Sequence, residues 1–231
     1  MKKRILTFLF ICLAHIAISQ TFEVGLFGGG SNFVGDVGST SYIAPNDFAI
    51  GGIFKWNRSE RHAFRFSFIY ANINGEDSAS DDPRRIERDY SFNNTIKEFS
   101  LGIEFTFLDY DVYDGRRKTT PYLFTGINYF NYDLLARNSF NNDIEKYDSD
   151  WEFAIPMVVG IKTNISRTIS IGFEIGARYS LTDALDGSNP IGELEDDLSR
   201  KFGNLDSDDW YFFTGFTATY TFGDKPCFCV F

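Results

Sequence analysis

Residues 168–180 read TISIGFEIGARYS. Ile169, Ile171, Phe173, Ile175, Ala177 and Tyr179 alternate with Ser170, Gly172, Glu174, Gly176, Arg178 and Ser180. A period of two over such a length is a β-strand with one apolar and one polar face. Strands of globular proteins run roughly 5–6 residues, whereas a tilted strand crossing a bilayer takes about 9–11. The length of the pattern therefore points to a membrane barrel, and the rest of the chain has to supply its partners.

It supplies seven more alternating segments. Residues 21–28 set Phe22, Val24 and Leu26 against Glu23 and Gly25. Residues 48–56 set Phe48, Ile50, Phe54 and Trp56 against Ala49, Gly51, Ile53 and Lys55. In 62–70, Phe64, Phe66, Phe68 and Tyr70 oppose Arg65, Ser67 and Ile69; in 97–107, Phe99, Leu101, Ile103, Phe105 and Phe107 oppose Glu98, Ser100, Gly102 and Glu104. Segment 122–132 places Leu123, Thr125, Ile127 and Tyr129 outside, with Phe124, Gly126 and Asn128 inside. Segments 153–165 and 210–222 complete the set, the former carrying Pro156, which breaks one ladder bond and suggests a bulge or distorted pairing.

The connections alternate too. Those after segments one, three, five and seven are long (29–47, 71–96, 133–152, 181–209), and those between are shorter (57–61, 108–121, 166–167). Up-and-down membrane barrels pair long outer loops with short periplasmic turns, so an even strand count returns both termini to the periplasm. The expected fold is all-β: an eight-stranded antiparallel up-and-down transmembrane β-barrel over residues 20–222.

Glycine placement favours this over a soluble sandwich. Gly25, Gly51, Gly102, Gly126, Gly160, Gly172, Gly176 and Gly215 share the polar face, with Gly52 the exception. Glycine weakens a strand, but an eight-strand lumen only just holds its own side chains. That face also carries Glu23, Lys55, Arg65, Glu98, Glu104, Lys162, Glu174 and Arg178. Buried charges persist when paired, so these eight are expected to form an ion-pair network that plugs the lumen; a conducting path or a catalytic carboxylate pair is the alternative. The apolar face is then left for lipid, with Trp56, Tyr70, Tyr129, Tyr179 and Trp210 as candidates for the interfacial girdles.

The N-terminus reads as an export signal. Lys2, Lys3 and Arg4 precede a short apolar run, and Ala17 and Ser19 offer small residues before Gln20, so residues 1–19 are expected to be removed. A lipoprotein signal at Cys12 is disfavoured by the bulky Ile11. Removal leaves Cys227 and Cys229 in the tail 223–231, which is no disulfide framework. The formal charge of −10 and the lack of a basic patch argue against nucleic acid.

No catalytic or metal constellation is legible, and no cofactor is expected. Residues 181–209 hold nine carboxylates, which suit calcium or a partner, but no calcium-loop spacing is present and a solvated outer surface is expected. Residues 109–115, DYDVYDG, lack the closing Glu of such a loop and read as a turn. The mature chain has one histidine, His62, beside a short turn and with no nucleophile partner in view. The chain is therefore expected not to be an enzyme.

Several stretches together carry a family resemblance. GLFGGGSNFVGDVG (25–38), PYLFTGINYFNY (121–132), IPMVVGIKTNIS (155–166), GFEIGARYSLTDALDG (172–187) and DWYFFTGFTATYTFGDKPCFC (209–229) occur in order and end in a CxC tail. In this the chain resembles the PorG family, outer-membrane barrels of the Bacteroidetes type IX secretion system. The resemblance implies a link to the periplasmic ring of the lipoprotein PorK and of PorN, whose counterparts in gliding bacteria are GldK and GldN. It implies a role anchoring that ring to the outer membrane. The apolar tail residues Phe228, Val230 and Phe231, with Cys227 and Cys229, are the expected contact. A generic small barrel of the OmpA or OmpW kind is the alternative.

Overall fold

The computed structural model describes residues 21–114, 116–138, 144–204 and 206–223. Eight strands close into one antiparallel barrel in chain order. They are β1 (Thr21–Val34), β2 (Asp47–Asn57), β3 (His62–Glu76), β4 (Ser91–Thr106), β5 (Thr119–Arg137), β6 (Ile144–Asn164), β7 (Ile169–Ser180) and β8 (Trp210–Phe222). β8 returns to β1, from Phe22 against Phe222 to Val34 against Trp210, so closure removes every sheet edge. This is the expected eight-stranded up-and-down barrel. The start of β1 and the end of β8 share one end, the terminal end; the connections 35–46, 77–90, 138–143 and 181–209 share the other, the loop end. The expected signal segment 1–19 and Cys227, Phe228, Cys229, Val230 and Phe231 lie outside the described residues.

Through the middle of the barrel the alternation runs apolar outward and polar inward. Leu101 on β4 and its partner Ile127 on β5 are 63% and 62% exposed, while Ser100 and Asn128 beside them are buried. Towards the loop end the pattern inverts. On β3 the inward residues become Ile69, Ala71 and Ile73 while Asn72 and Asn74 turn outward. On β4 the inward set becomes Phe92, Asn94 and Ile96, with Ser91, Asn93 and Thr95 outside. On β5, Phe130, Tyr132 and Leu134 go in and Asn131 and Asp133 face out.

The inversion explains why the sequence places strand ends too early. Five strands continue past the segments read from the apolar-out pattern: β1 to Val34, β3 to Glu76, β4 back to Ser91, β5 to Arg137 and β6 back to Ile144. The first three long loops shorten accordingly, and α1 (Pro83–Arg88) forms within the second, capped by the Asp82 side chain on Arg84 N. The change of face coincides with a ring of aromatics. Phe48 meets Tyr70, Tyr129 stacks on Trp151 at 4.9 Å, and Tyr179 meets Trp210 at 5.0 Å. Trp56 sits at the opposite rim beside Phe64, near the Phe22 stacks on Phe54 and Phe222.

Pro156 lies beside a gap in the β5–β6 ladder, yet the register is the same on both sides of it. The bulge suggested for Pro156 falls instead between Leu134 and Leu135, where β5 and β6 have left the apolar belt. Glycines lie where backbones approach within the lumen. A side chain on Gly102 would meet its cross-strand partner Gly126 at 2.9 Å, and one on Gly160 would strike the Tyr122 ring.

Candidate functional site

All eight charged residues assigned to the lumen point inward and are buried. They are four glutamates and four cations, so their formal charges cancel. Each sits at an inward position of its strand and is at most 6% exposed. A charge so placed needs partners, since its desolvation costs several kcal/mol.

Glu104 on β4 is the hub nearer the terminal end. It lies 2.6 Å from Lys55 Nζ, 2.7 Å from Lys162 Nζ and 3.8 Å from Arg65 Nη1. Arg65 turns its fork the other way, donating from Nη1 and Nη2 to the two oxygens of Glu174, both at 2.8 Å. Tyr122 donates to Glu174 Oε2 at 2.6 Å. Aromatic faces complete the cage, with Arg65 over Phe124 and Lys162 over Tyr110.

A second group lies above. Arg178 Nε reaches Glu98 Oε2 at 3.3 Å, and Glu98 also accepts from Tyr211 at 2.8 Å and Ser100 at 3.0 Å. The Arg178 guanidinium lies over Phe213, 4.3 Å from the ring centroid. Glu23, the cross-strand partner of Lys55, accepts from Asn57 at 2.8 Å and Thr219 at 2.9 Å. The structure thus brings seven of the residues into two ion-paired clusters and places the eighth opposite Lys55, hydrogen-bonded to neutral side chains.

Above the charges, Ile69, Ala71, Ile73, Ile96, Phe130 and Tyr132 form an apolar layer. The 181–209 connection closes it. Ala184 and Leu185 insert fully buried, and Asp186 is buried with them. This corrects the expected solvated outer loop for residues 182–188, whereas most of 193–208 is exposed as expected. The reason is local: Asp186 accepts from the backbone N–H groups of Asp36, Val37 and Ser188, which draws Ala184 and Leu185 into the barrel mouth. The apolar Ala184-Leu185 pair between Asp183 and Asp186 was the available signal. A second tie is made by Asp77, fully buried, which pairs with Arg88 of α1 at 2.7 Å and accepts from Gly38 N.

The terminal end is also closed. Residues 109–115, read as a turn, contain a short 3₁₀ turn at Val112–Asp114, and Tyr110 and Val112 are buried at this end. Tyr110 donates to Ser170 at 2.8 Å, while Tyr113 donates to the Gly223 carbonyl at 2.7 Å.

His62 lies at this end, exposed, with Ser59 Oγ 3.2 Å from its Nδ1. The sequence showed no such partner, so that reading is corrected. The same hydroxyl accepts from Arg61 N and His62 N and so caps the 58–61 turn. Among the described residues no carboxylate is hydrogen-bonded to His62 to orient it as a general base, and none form a group of three suited to a metal ion.

Comparison with known proteins gives a family and a set of similar shapes. No curated protein matches the chain. The crystal structure of Ail, the attachment invasion locus protein of Yersinia pestis, aligns at 11% identity and TM-score 0.46, covering 88% of this chain and 99% of that one. The N-terminal β-barrel domain of Pseudomonas aeruginosa OprF aligns at 11% and 0.45, covering 88% and 98%. Outer membrane protein W of E. coli aligns at 16% and 0.37, covering 88% and 98%. A family model described as "Domain of unknown function (DUF6089)" matches residues 2–231, and the chain belongs to that family.

Proposed function

We propose that the protein is a non-enzymatic outer-membrane barrel with a structural role, its terminal end in the periplasm and its loop end outside the cell. The inversion of the apolar face carries this reading. In water a barrel hides its apolar residues inside along its whole length, as this one does only near the loop end. Below the aromatic ring the preference reverses, which is favourable only against hydrocarbon. The paired lumen charges and the closed ends argue against a conduit. At His62 no carboxylate among the described residues orients the ring, which argues against hydrolytic chemistry.

The resemblance to the PorG family supports a specific version of that role. In it the barrel anchors the periplasmic ring of a type IX secretion system, formed by proteins like PorK and PorN, or GldK and GldN in gliding bacteria. The terminal-end segment 107–118 and the tail with Cys227, Phe228, Cys229, Val230 and Phe231 supply the contact. Truncation after Gly223 is expected to leave the barrel inserted while reducing recovery of the ring lipoprotein with it from mild detergent. Unchanged ring recovery with the truncated barrel, together with unchanged cargo secretion in both the truncation and a complete deletion, would leave a generic small envelope barrel of the OmpA or OmpW kind.

A further inference from the structure

The loop-end closure contains three buried carboxylates with no cation beside them. Asp183, Asp186 and Asp209 are 8%, 0% and 1% exposed. Among the described residues none lies within 4.0 Å of an Arg or Lys nitrogen. Asp186 has both oxygens bonded to backbone N–H groups. Asp209 accepts from Leu185 N through Oδ2 at 3.0 Å, and its Oδ1 is sealed from water without a donor. Both oxygens of Asp183 are sealed and lie outside hydrogen-bonding geometry from any donor, although the Asn189 side chain is close enough to ease its charge slightly.

The surrounding elements do not supply the missing positive charge. From the 35–46 connection comes another carboxylate, Asp36, which accepts from Asn204 N. From α1, Arg85 donates to the Gly35 and Gly38 carbonyls, and Arg88 is spent on Asp77 and the Asp36 carbonyl. Arg137 of β5 donates to Tyr90 and to Ser199 O, and Asp208, the remaining neighbour, adds negative charge and accepts from Tyr179. Burial among other carboxylates disfavours the charged form, and N–H donors offset that at Asp186 but are missing at Asp183 and at Oδ1 of Asp209.

We propose that this closure is proton-locked: the Asp183–Asp186–Asp209 cluster holds at least one proton while residues 182–188 are seated, and releases it to bulk water when they lift. Burial first, and the neighbouring carboxylates second, push Asp183 up to about 8, and burial likewise raises Asp186 and Asp209. The sign follows. A carboxyl raised in the seated state favours seating fully below the ordinary carboxylate range, and that favour is lost as pH rises from about 4 towards about 8. Alkaline surroundings would therefore lift Ala184 and Leu185 from the mouth and uncover the apolar layer.

Hydrogen exchange on the full chain, folded in zwitterionic micelles and corrected for intrinsic rates, reads this directly. The opening constant of residues 182–188 is expected to rise up to about tenfold per pH unit for each linked proton between about pH 5 and pH 8, then level off. Asp183→Asn or Asp209→Asn is expected to flatten that slope, and Asp197→Asn, on the exposed part of the same loop, to keep it. A flat wild-type profile, or the full slope surviving in both cluster variants, would overturn the proposal. So would protection raised by millimolar calcium in the wild type and lost in Asp183→Asn, which would make the cluster a cation site.

Discussion

At Glu104 two lysines and an arginine converge on one carboxylate, and Arg65 hands the chain of charges on to Glu174. Buried ion pairs are weak contributors to stability when intact, because desolvation offsets most of their attraction. Breaking one is a different matter, since the partner is left charged and dry. Glu174→Gln is therefore expected to cost about 3–5 kcal/mol, read as a lowered urea midpoint in micelles. A midpoint equal to wild type would mean that water reaches Arg65. Gly160 offers a test of lumen space at the same level. A branched side chain there meets the Tyr122 ring, so Gly160→Val is expected to push Tyr122 away from Glu174 and cost about 1–3 kcal/mol through overpacking. Gly52, beside which a Cβ would find open space on the outer face, should accept valine with little loss; equal costs at the two sites would count against a crowded lumen.

Among the strands, β7 shows most plainly what an element gains from its surroundings. Phe173 faces outward between Ile161 of β6 and Phe216 of β8, whose ring centroid is 5.2 Å away. With hydrocarbon outside, Phe173→Arg is expected to cost about 2–4 kcal/mol, as lipid-facing arginine does near a bilayer midplane, while Phe173→Leu stays mild. Equal heat stability of the folded gel band for both variants would contradict a lipid-facing β7. The periodicity of β7 was fully legible because its inward and outward faces differ along its whole length. β3, β4 and β5 were legible only up to the aromatic ring, since beyond it the pattern keeps period two but exchanges faces. Lumen residues could be read because charged and glycine positions fall on one parity. Glu174 and Arg178 were legible as members of one network with Arg65, Glu104 and Glu98, but the individual pairs were not, because the partners of Arg65 and Arg178 are 109 and 80 residues away in sequence and meet only through barrel closure. The folding-in of residues 182–188 had only the Ala184-Leu185 pair as a local signal, because the Asp186 bonds that fix it reach backbone N–H groups of the 35–46 loop, about 150 residues away.

On the scale of the whole molecule, the barrel is a stack of layers: a packed terminal-end segment, two charge clusters, an apolar layer and a loop-end closure. In the proposed outer-membrane setting these layers fill the lumen, so the protein is expected to hold the membrane sealed while presenting its ends to either side. The most direct test is the current through planar bilayers holding the full-length barrel, with insertion verified by heat-modifiable mobility of the recovered protein. Near neutral pH no discrete conductance steps are expected, in the wild type or in Glu174→Gln. Stable, reproducible steps carried by verified, folded wild-type barrels would contradict the filled lumen on which the structural role rests.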